Sequence, residues 1–266
     1  MAYDLLIKGG RVIDGSGGPA FSGDVAVKNG RIVEVGKIND VAAQTVHADG
    51  QVVAPGFIDI HTHMDAQLTW DLVHIESAKK PENKRWEGRT VAEMAQAQGK
   101  DALDAFCDLA LQEDLATEFT TVLANGDESA VGEILQSPAT VIGLSDAGAH
   151  AALECGYGFT TYLLGYWVRE KKVLPLEEAV RKLTSMPAAV LGLKDRGAIR
   201  PGLAADLVVF DADTVAALPP VVTHDLPAGE KRLVQKAVGI TCTVVNGQVL
   251  TAHGEHTGSY PGRVLR

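Results

Sequence analysis

Aromatic residues make up only 5% of this 266-residue sequence, and it has just three cysteines. No apolar run approaches the ~18 residues of a membrane-spanning helix. Cys107, Cys155 and Cys242 are odd in number and too scattered for a disulfide framework or a CxxC metal site, so a reducing, cytoplasmic location is expected. The first residues, "MAYDLLIKGGRVIDG", lack the basic segment, long apolar stretch and cleavage site of a signal peptide, which supports the same expectation. Basic residues are outnumbered 24 to 34, for a formal charge of −10. Sequence-independent nucleic-acid binding rests on basic patches, so neither nucleic acid nor membrane is expected as a partner. No internal repeat or low-complexity tract is visible.

Hydrophobic residues reach 46%, enough for a soluble globular core. Both chain ends read as β-structure. "YDLLIKGG", "RVIDG", "DVAVKNGRIVEVG" and "TVHADG" predict short strands at the front, and "ADLVVFD" (205–211) and "GITCTVVNGQVL" (239–250) at the back. Asn29-Gly30 and Asn246-Gly247 predict hairpin turns, because both central residues must tolerate positive φ. The middle is mostly helical. Residues 90–114 predict two helices broken near Gly99, the first opened by a Thr90/Glu93 capping box. Further helices are expected over 128–137, 159–172 and 176–193, with Pro187 marking a first turn or a break, and a buried strand over 139–146. The polar stretch 74–89 reads as an exposed loop.

Two stretches suggest chemistry. In "APGFIDIHTH" (54–63), His61 and His63 end an apolar run. Strand residues two apart share a face, so both imidazoles could reach one metal ion, and Asp65 follows closely. Catalytic zinc usually takes three protein ligands and keeps one position for water. In "GLSDAGAH" (143–150), Asp146 follows an apolar run and opens a Gly/Ala turn. A carboxylate there could bind a metal, take a proton from activated water, or simply cap the next helix. His150 reads as a polar loop residue, with a ligand or substrate contact as the alternative. His74 and Glu76 would share a face of an edge strand. Cys107, beside Phe106 and Leu109, is expected in the core, and Cys155 in "ECGYGFTT" is ambiguous. His253 and His256 lie in a polar tail.

Taken together, "YDLLIKGGRVIDGSG", "VVAPGFIDIHTHMDAQLTWD", "GLSDAGAH" and "LTSMPAAVLGLKDRGAIRPGLAADLVVFD" resemble the metal-dependent amidohydrolase superfamily. The closest branch is the N-acyl-D-amino-acid deacylases (D-aminoacylases), to which "VVNGQVLTAHGEHTGSYPGRVLR" is also similar. The resemblance implies an α/β plus β chain: a β-sandwich from 1–54 and 200–266, joined to a (β/α)8 barrel over 55–199. It implies that His61 and His63 are strand-one zinc ligands, and that Asp146 is the strand-eight aspartate, ligand and general base. It implies hydrolysis of a small N-acyl amino acid. Alternatives within the resemblance are a cyclic amidase, hydantoinase- or dihydroorotase-like, and a non-catalytic remnant.

Length limits this expectation. Only 82 residues separate His63 from Asp146. At roughly 25–30 residues per βα unit, the seven units still needed require about 175–210. An incomplete barrel remnant is therefore expected, with an internal junction near Trp70–Val73 and no counterpart of the family's middle-strand ligands. Activity is expected to be weak or absent, and open sheet edges to favour self-association.

Overall fold

The computed structural model describes residues 3–58, 70–121, 125–145, 147, 151–152 and 155–265. By contacts the chain divides into two units, Met1–His63 with Ile134–Arg266, and Met64–Glu133.

The first unit begins with five strands: β1 (Tyr3–Val12), β2 (Phe21–Lys28), β3 (Arg31–Gly36), β4 (Ala42–His47) and β5 (Val52–Pro55). The expected "YDLLIKGG" and "RVIDG" strands are one strand, β1, carrying a bulge. Its antiparallel pairing with β2 shifts by one residue between Ile7 and Gly10. Gly9 sits in the left-handed region at φ 78°, where an L side chain is strained. Before the bulge β1 runs parallel to β4, and after it parallel to β5. The Asp24 carboxylate pins this site, accepting 2.8 Å bonds from the Gly9 and Ile38 N–H groups. "LLI" is continuous because both faces are covered: Leu5 and Ile7 enter the main core, and Leu6 packs with Ala26 and Ile38.

The second unit opens with a 3-10 turn, Trp70–Leu72, and continues as β6 (Val73–Ser77), a 3-10 helix (Pro81–Trp86), α1 (Val91–Gln98), α2 (Ala102–Gln112) and β7 (Glu118–Thr121). The capping box forms as expected, with the Thr90 hydroxyl accepting from the Glu93 N–H and the Glu93 carboxylate from the Thr90 N–H. Gly99 ends α1 in the left-handed conformation. The expected exposed loop over 74–89 is corrected. β6 pairs with β7, and Asn83 is buried, donating to the buried Glu113 carboxylate at 2.6 Å. Glu113 also accepts from the Lys79 and Lys80 backbone N–H groups, which lets this polar stretch fold inward. Val73, Ile75, Val91, Met94, Ala105 and Leu109 form the unit's core.

The chain re-enters the first unit within α3 (Glu128–Gln136), and then come α4 (Phe159–Tyr162), α5 (Leu176–Leu183) and α6 (Ser185–Val190). Alpha-helical α4 passes directly into a π-helical stretch, Leu163–Glu170, so the expected 159–172 helix exists in mixed form. The expected 176–193 helix is broken at Thr184 (φ −130°, ψ −85°), with Pro187 in the first turn of α6. The strand expected over 139–146 is corrected: 141–145 carry no regular structure and are half-exposed. An isolated extended run gains a ladder only from a partner strand, and the described residues provide none there.

The last strands are β8 (Leu207–Phe210), β9 (Ala216–Ala217), β10 (Val221–Thr223), β11 (Arg232–Val234), β12 (Ala237–Val238), β13 (Ile240–Val245), β14 (Gln248–Ala252) and β15 (Glu255–His256). β8 is buried along its whole length and joins the two chain ends, antiparallel to β5 on one side and β13 on the other. The result is one nine-stranded mixed sheet, ordered β15-β14-β13-β8-β5-β1-β2-β3 with β4 beside β1. Both ends thus supply one continuous hydrogen-bonded sheet. Leu5, Ile7, Val25 and Val27 share its core with Leu207, Val209, Cys242 and Val244. Each such side chain contributes about 1.5–3 kcal/mol on burial.

The two Asn-Gly turns form as expected and abut each other. Asn29 and Gly30 have φ of 51° and 75°, and Asn246 and Gly247 of 45° and 81°. A Cβ on Gly247 would lie 2.7 Å from the Gly30 Cα.

Candidate functional site

The residues singled out for metal chemistry, His61, His63 and Asp146, lie outside the described residues, as do Asp65 and His150. What the structure does describe is how the chain approaches them. β5 delivers the chain from the sheet centre to Gly56–Ile58, which carry no regular structure, and the rest of the expected strand lies outside the described residues. The Gly56 N–H donates to the Asp206 carbonyl at 2.9 Å, and the Ile58 N–H to the Leu183 carbonyl at 2.8 Å. The Phe57 ring meets Phe210 edge-on, with centroids 6.4 Å apart. Gly56 and Ile58 are therefore fixed to the residue before β8 and to the end of α5.

Beside this approach lies a cavity of about 320 Å³. Its walls include Phe57, Ile58, Leu207 and Leu250, and its polar edge is Arg196 with Asp206. The Arg196 guanidinium donates to the Asp206 carboxylate and, at 3.2 Å, to that of Asp195. The other oxygen of Asp206 accepts from the Asn246 N–H at 2.7 Å. This ion pair thus ties β8 to the β13–β14 turn.

The approach to Asp146 is held by an unexpected group. Lys182 on α5 is fully buried, and its ammonium donates to the carbonyls of Ser137 and Thr140, each at 2.7 Å. Burial pulls its pKa below the ordinary lysine value, with the Arg181 charge acting in the same direction and Glu178 opposing it. Spacing is the sequence signal for this burial, since Lys182 falls on the same helical face as buried Ala179 and Leu183. Further on, Ser145 comes close to Gly156, where an added Cβ would lie 2.0 Å from the Ser145 carbonyl oxygen.

The other candidates are not brought together. His74 and Glu76 share the exposed face of β6, where Glu76 accepts from the Thr120 hydroxyl at 3.3 Å. His253 occupies a turn at φ 49°, and His256 accepts from the Gly258 N–H at 2.9 Å. Cys107 is exposed, correcting its expected core position, because α2 buries the stripe of Ala105 and Leu109 instead. Burial pushes the Cys242 thiol up to about 11. Burial also raises Cys155, with a hydrogen bond from the Tyr157 backbone opposing it. Raised values keep both as thiols at neutral pH, which disfavours nucleophilic roles. Among the described residues no group of three or more His, Cys, Asp or Glu is placed to hold a metal. No helix among them is long and apolar enough to cross a membrane.

A profile of the Amidohydrolase family matches residues 72–251. The chain belongs to the amidohydrolase family. Within that family it is similar to the N-acyl-D-glutamate deacylase of Alcaligenes xylosoxydans xylosoxydans, 34% identical over 206 residues, which are 76% of this chain and 36% of that protein. It is also similar to the D-aminoacylase of the same organism, 51% identical over 67 residues, 25% of this chain and 14% of that one. The aligned regions are thus well under two thirds of these relatives' lengths. In fold it resembles the crystal structure of the N-acyl-D-glutamate deacylase from Bordetella bronchiseptica complexed with zinc and a phosphonate inhibitor. That alignment has a TM-score of 0.68 and 18% identity, and spans 96% of this chain and 99% of that one.

Proposed function

We propose that this chain is a shortened metal-dependent hydrolase of the amide C–N bond in small N-acyl amino acids, with weak or no turnover in this form. The observation that carries the reading is the 206-residue match to an N-acyl-D-glutamate deacylase. The family match covers the Asp146 segment and begins at residue 72, next to the proposed junction at Trp70–Val73. The reading keeps 55–199 as a barrel remnant and 1–54 with 200–266 as the β-domain; the nine-stranded sheet draws its strands from the latter two segments.

His61, His63 and Asp146 form the proposed ligand set. Two imidazoles and one carboxylate suit a catalytic zinc in kind and number, so the donors fit. Bound there, zinc would supply Lewis acidity at the amide carbonyl and a more acidic water. Asp146 takes the proton of the attacking water and passes it to the departing amine. The bonds from Gly56 and Ile58 to the residue before β8 and to α5, and those from Lys182 to the 137–140 turn, hold the chain leading into both motifs. Three free cysteines are in keeping with a cytoplasmic setting.

The test is release of free amino acid from N-acyl-D-amino acids, assayed beside hydantoins at high enzyme concentration. Slow release that disappears in His61→Ala/His63→Ala supports the reading. Release that survives in that double variant removes the proposed site, and turnover of hydantoins alone moves the substrate to cyclic amides. The short match to its relatives keeps a non-catalytic remnant as the second reading, and no turnover of any substrate favours it.

A further inference from the structure

The second unit holds a cavity of about 360 Å³ whose walls include Asn83, Arg85 and Trp86 from the 3-10 helix, Asp108 and Leu109 from α2, and Lys100 from the link between α1 and α2. That volume falls in the range of small-molecule sites. Asn83 is only 5% exposed, and Glu113 fixes the orientation of its amide. An ionised carboxylate only accepts, and this one also takes the Lys79 and Lys80 N–H groups, so the Asn83 Nδ2 must face it. The Asn83 Oδ1 is then left without a donor among the described residues, on a buried side chain that lines the cavity. A buried amide pinned at one end and unpaired at the other is the arrangement that a ligand N–H completes.

Arg85 is the second unpaired group. Its guanidinium lies over the Trp86 ring, 4.8 Å from the centroid, and makes no ion pair or hydrogen bond among the described residues. Lys100 and Asp108 bind each other at 2.6 Å, so their charges cancel. The walls therefore offer one uncompensated positive charge, one carbonyl-type acceptor, and apolar surface from Trp86 and Leu109.

We propose that this cavity binds a small N-acylated α-amino acid, with its carboxylate on Arg85, its amide N–H on the Asn83 Oδ1, and its apolar part against Trp86 and Leu109. The charges select this class. A free amino acid would bring an ammonium toward Arg85, and the Asp108 carboxylate that might offset it is already taken by Lys100. A simple fatty carboxylate has no N–H for Asn83. The ligand class is that of the proposed function, but the site uses none of the metal ligands and stands as a second, non-catalytic site. Arg85 is exposed, so the carboxylate end stays open to water. For a ligand of about a dozen non-hydrogen atoms this sets a dissociation constant on the order of a millimolar.

The test is calorimetric titration of racemic N-acetylleucine into the full chain, dialysed against a chelator so that neither zinc nor turnover contributes. Binding is expected in the parent and, unchanged, in His61→Ala/His63→Ala. It is expected to weaken about tenfold or more in Arg85→Gln, an exposed substitution that leaves the melting temperature alone. A similar loss is expected for N-acetylleucine amide, which lacks the carboxylate, and for N-acetyl-N-methylleucine, which lacks the N–H. Absence of binding overturns the proposal. So does binding that Arg85→Gln or N-methylation leaves unchanged, or free leucine binding as tightly as its acetylated form. Loss of binding in the double histidine variant also overturns it, by moving the ligand to the metal motif. A chain without zinc or turnover would defeat the proposed function and leave these titrations unaltered.

Discussion

The Lys182 ammonium lies 2.7 Å from the carbonyl oxygen of Thr140, inside the protein and, among the described residues, with no carboxylate in direct contact. It joins α5 to the turn that leads toward Asp146. Truncation leaves both a cavity and two carbonyls that have lost their donor. Lys182→Ala is expected to destabilise by about 2–4 kcal/mol. Its neighbour Arg181 makes a half-exposed bond to Glu178 at 2.7 Å, and Arg181→Ala is expected to cost only about 0.2–1 kcal/mol. Urea midpoints of the two variants check the contrast, and equal midpoints would remove the special role of Lys182.

The abutting turns make a second prediction. Gly247 and Gly254 both have φ above +80°, but only Gly247 is crowded, a Cβ there lying 2.7 Å from the Gly30 Cα. Alanine at Gly254 pays only for backbone strain, about 1 kcal/mol, whereas Gly247→Ala adds the collision and is expected to cost about 2–3 kcal/mol. Thermal melts of the two variants measure the difference.

A third prediction concerns acid. Burial raises the Glu113 pKa, but the bonds from Asn83, Lys80 and Lys79, with the Lys80 charge, outweigh it and hold the carboxyl below the ordinary glutamate value. Glu87 is likewise lowered, chiefly by the Ala78 N–H and by Lys84. A carboxylate depressed on folding gives stability that is complete above the unfolded value of about 4.3 and is lost as pH falls through the folded value. The second unit should therefore hold its urea midpoint from pH 7 to about 5 and lose it steeply below 4.3. Glu113→Gln should lower the neutral-pH midpoint and flatten that acid slope. A variant with an unchanged slope would place the acid response elsewhere.

Local signals were legible because their causes are local. Asn29-Gly30, Asn246-Gly247, the Thr90 capping box and the Gly99 stop each depend on neighbours a few residues away, and each forms where the sequence places it. The errors concern partners distant in sequence. The 74–89 stretch folds inward only because Glu113 supplies acceptors about thirty residues later. "ATVIGLSD" is apolar enough for a strand, but a strand also needs a neighbour. Cys107 misses its expected core position because α2 faces its core by one stripe, and residue type alone does not choose that stripe. For the metal site, residue types, spacing and the family match speak for His61, His63 and Asp146.

Metal content tests the central claim most directly. The purified chain, dialysed against metal-free buffer, is analysed for zinc beside His61→Ala/His63→Ala. About one zinc per chain is predicted, with none in the double variant. Absence of zinc from the parent chain, or equal zinc in both proteins, would contradict the account.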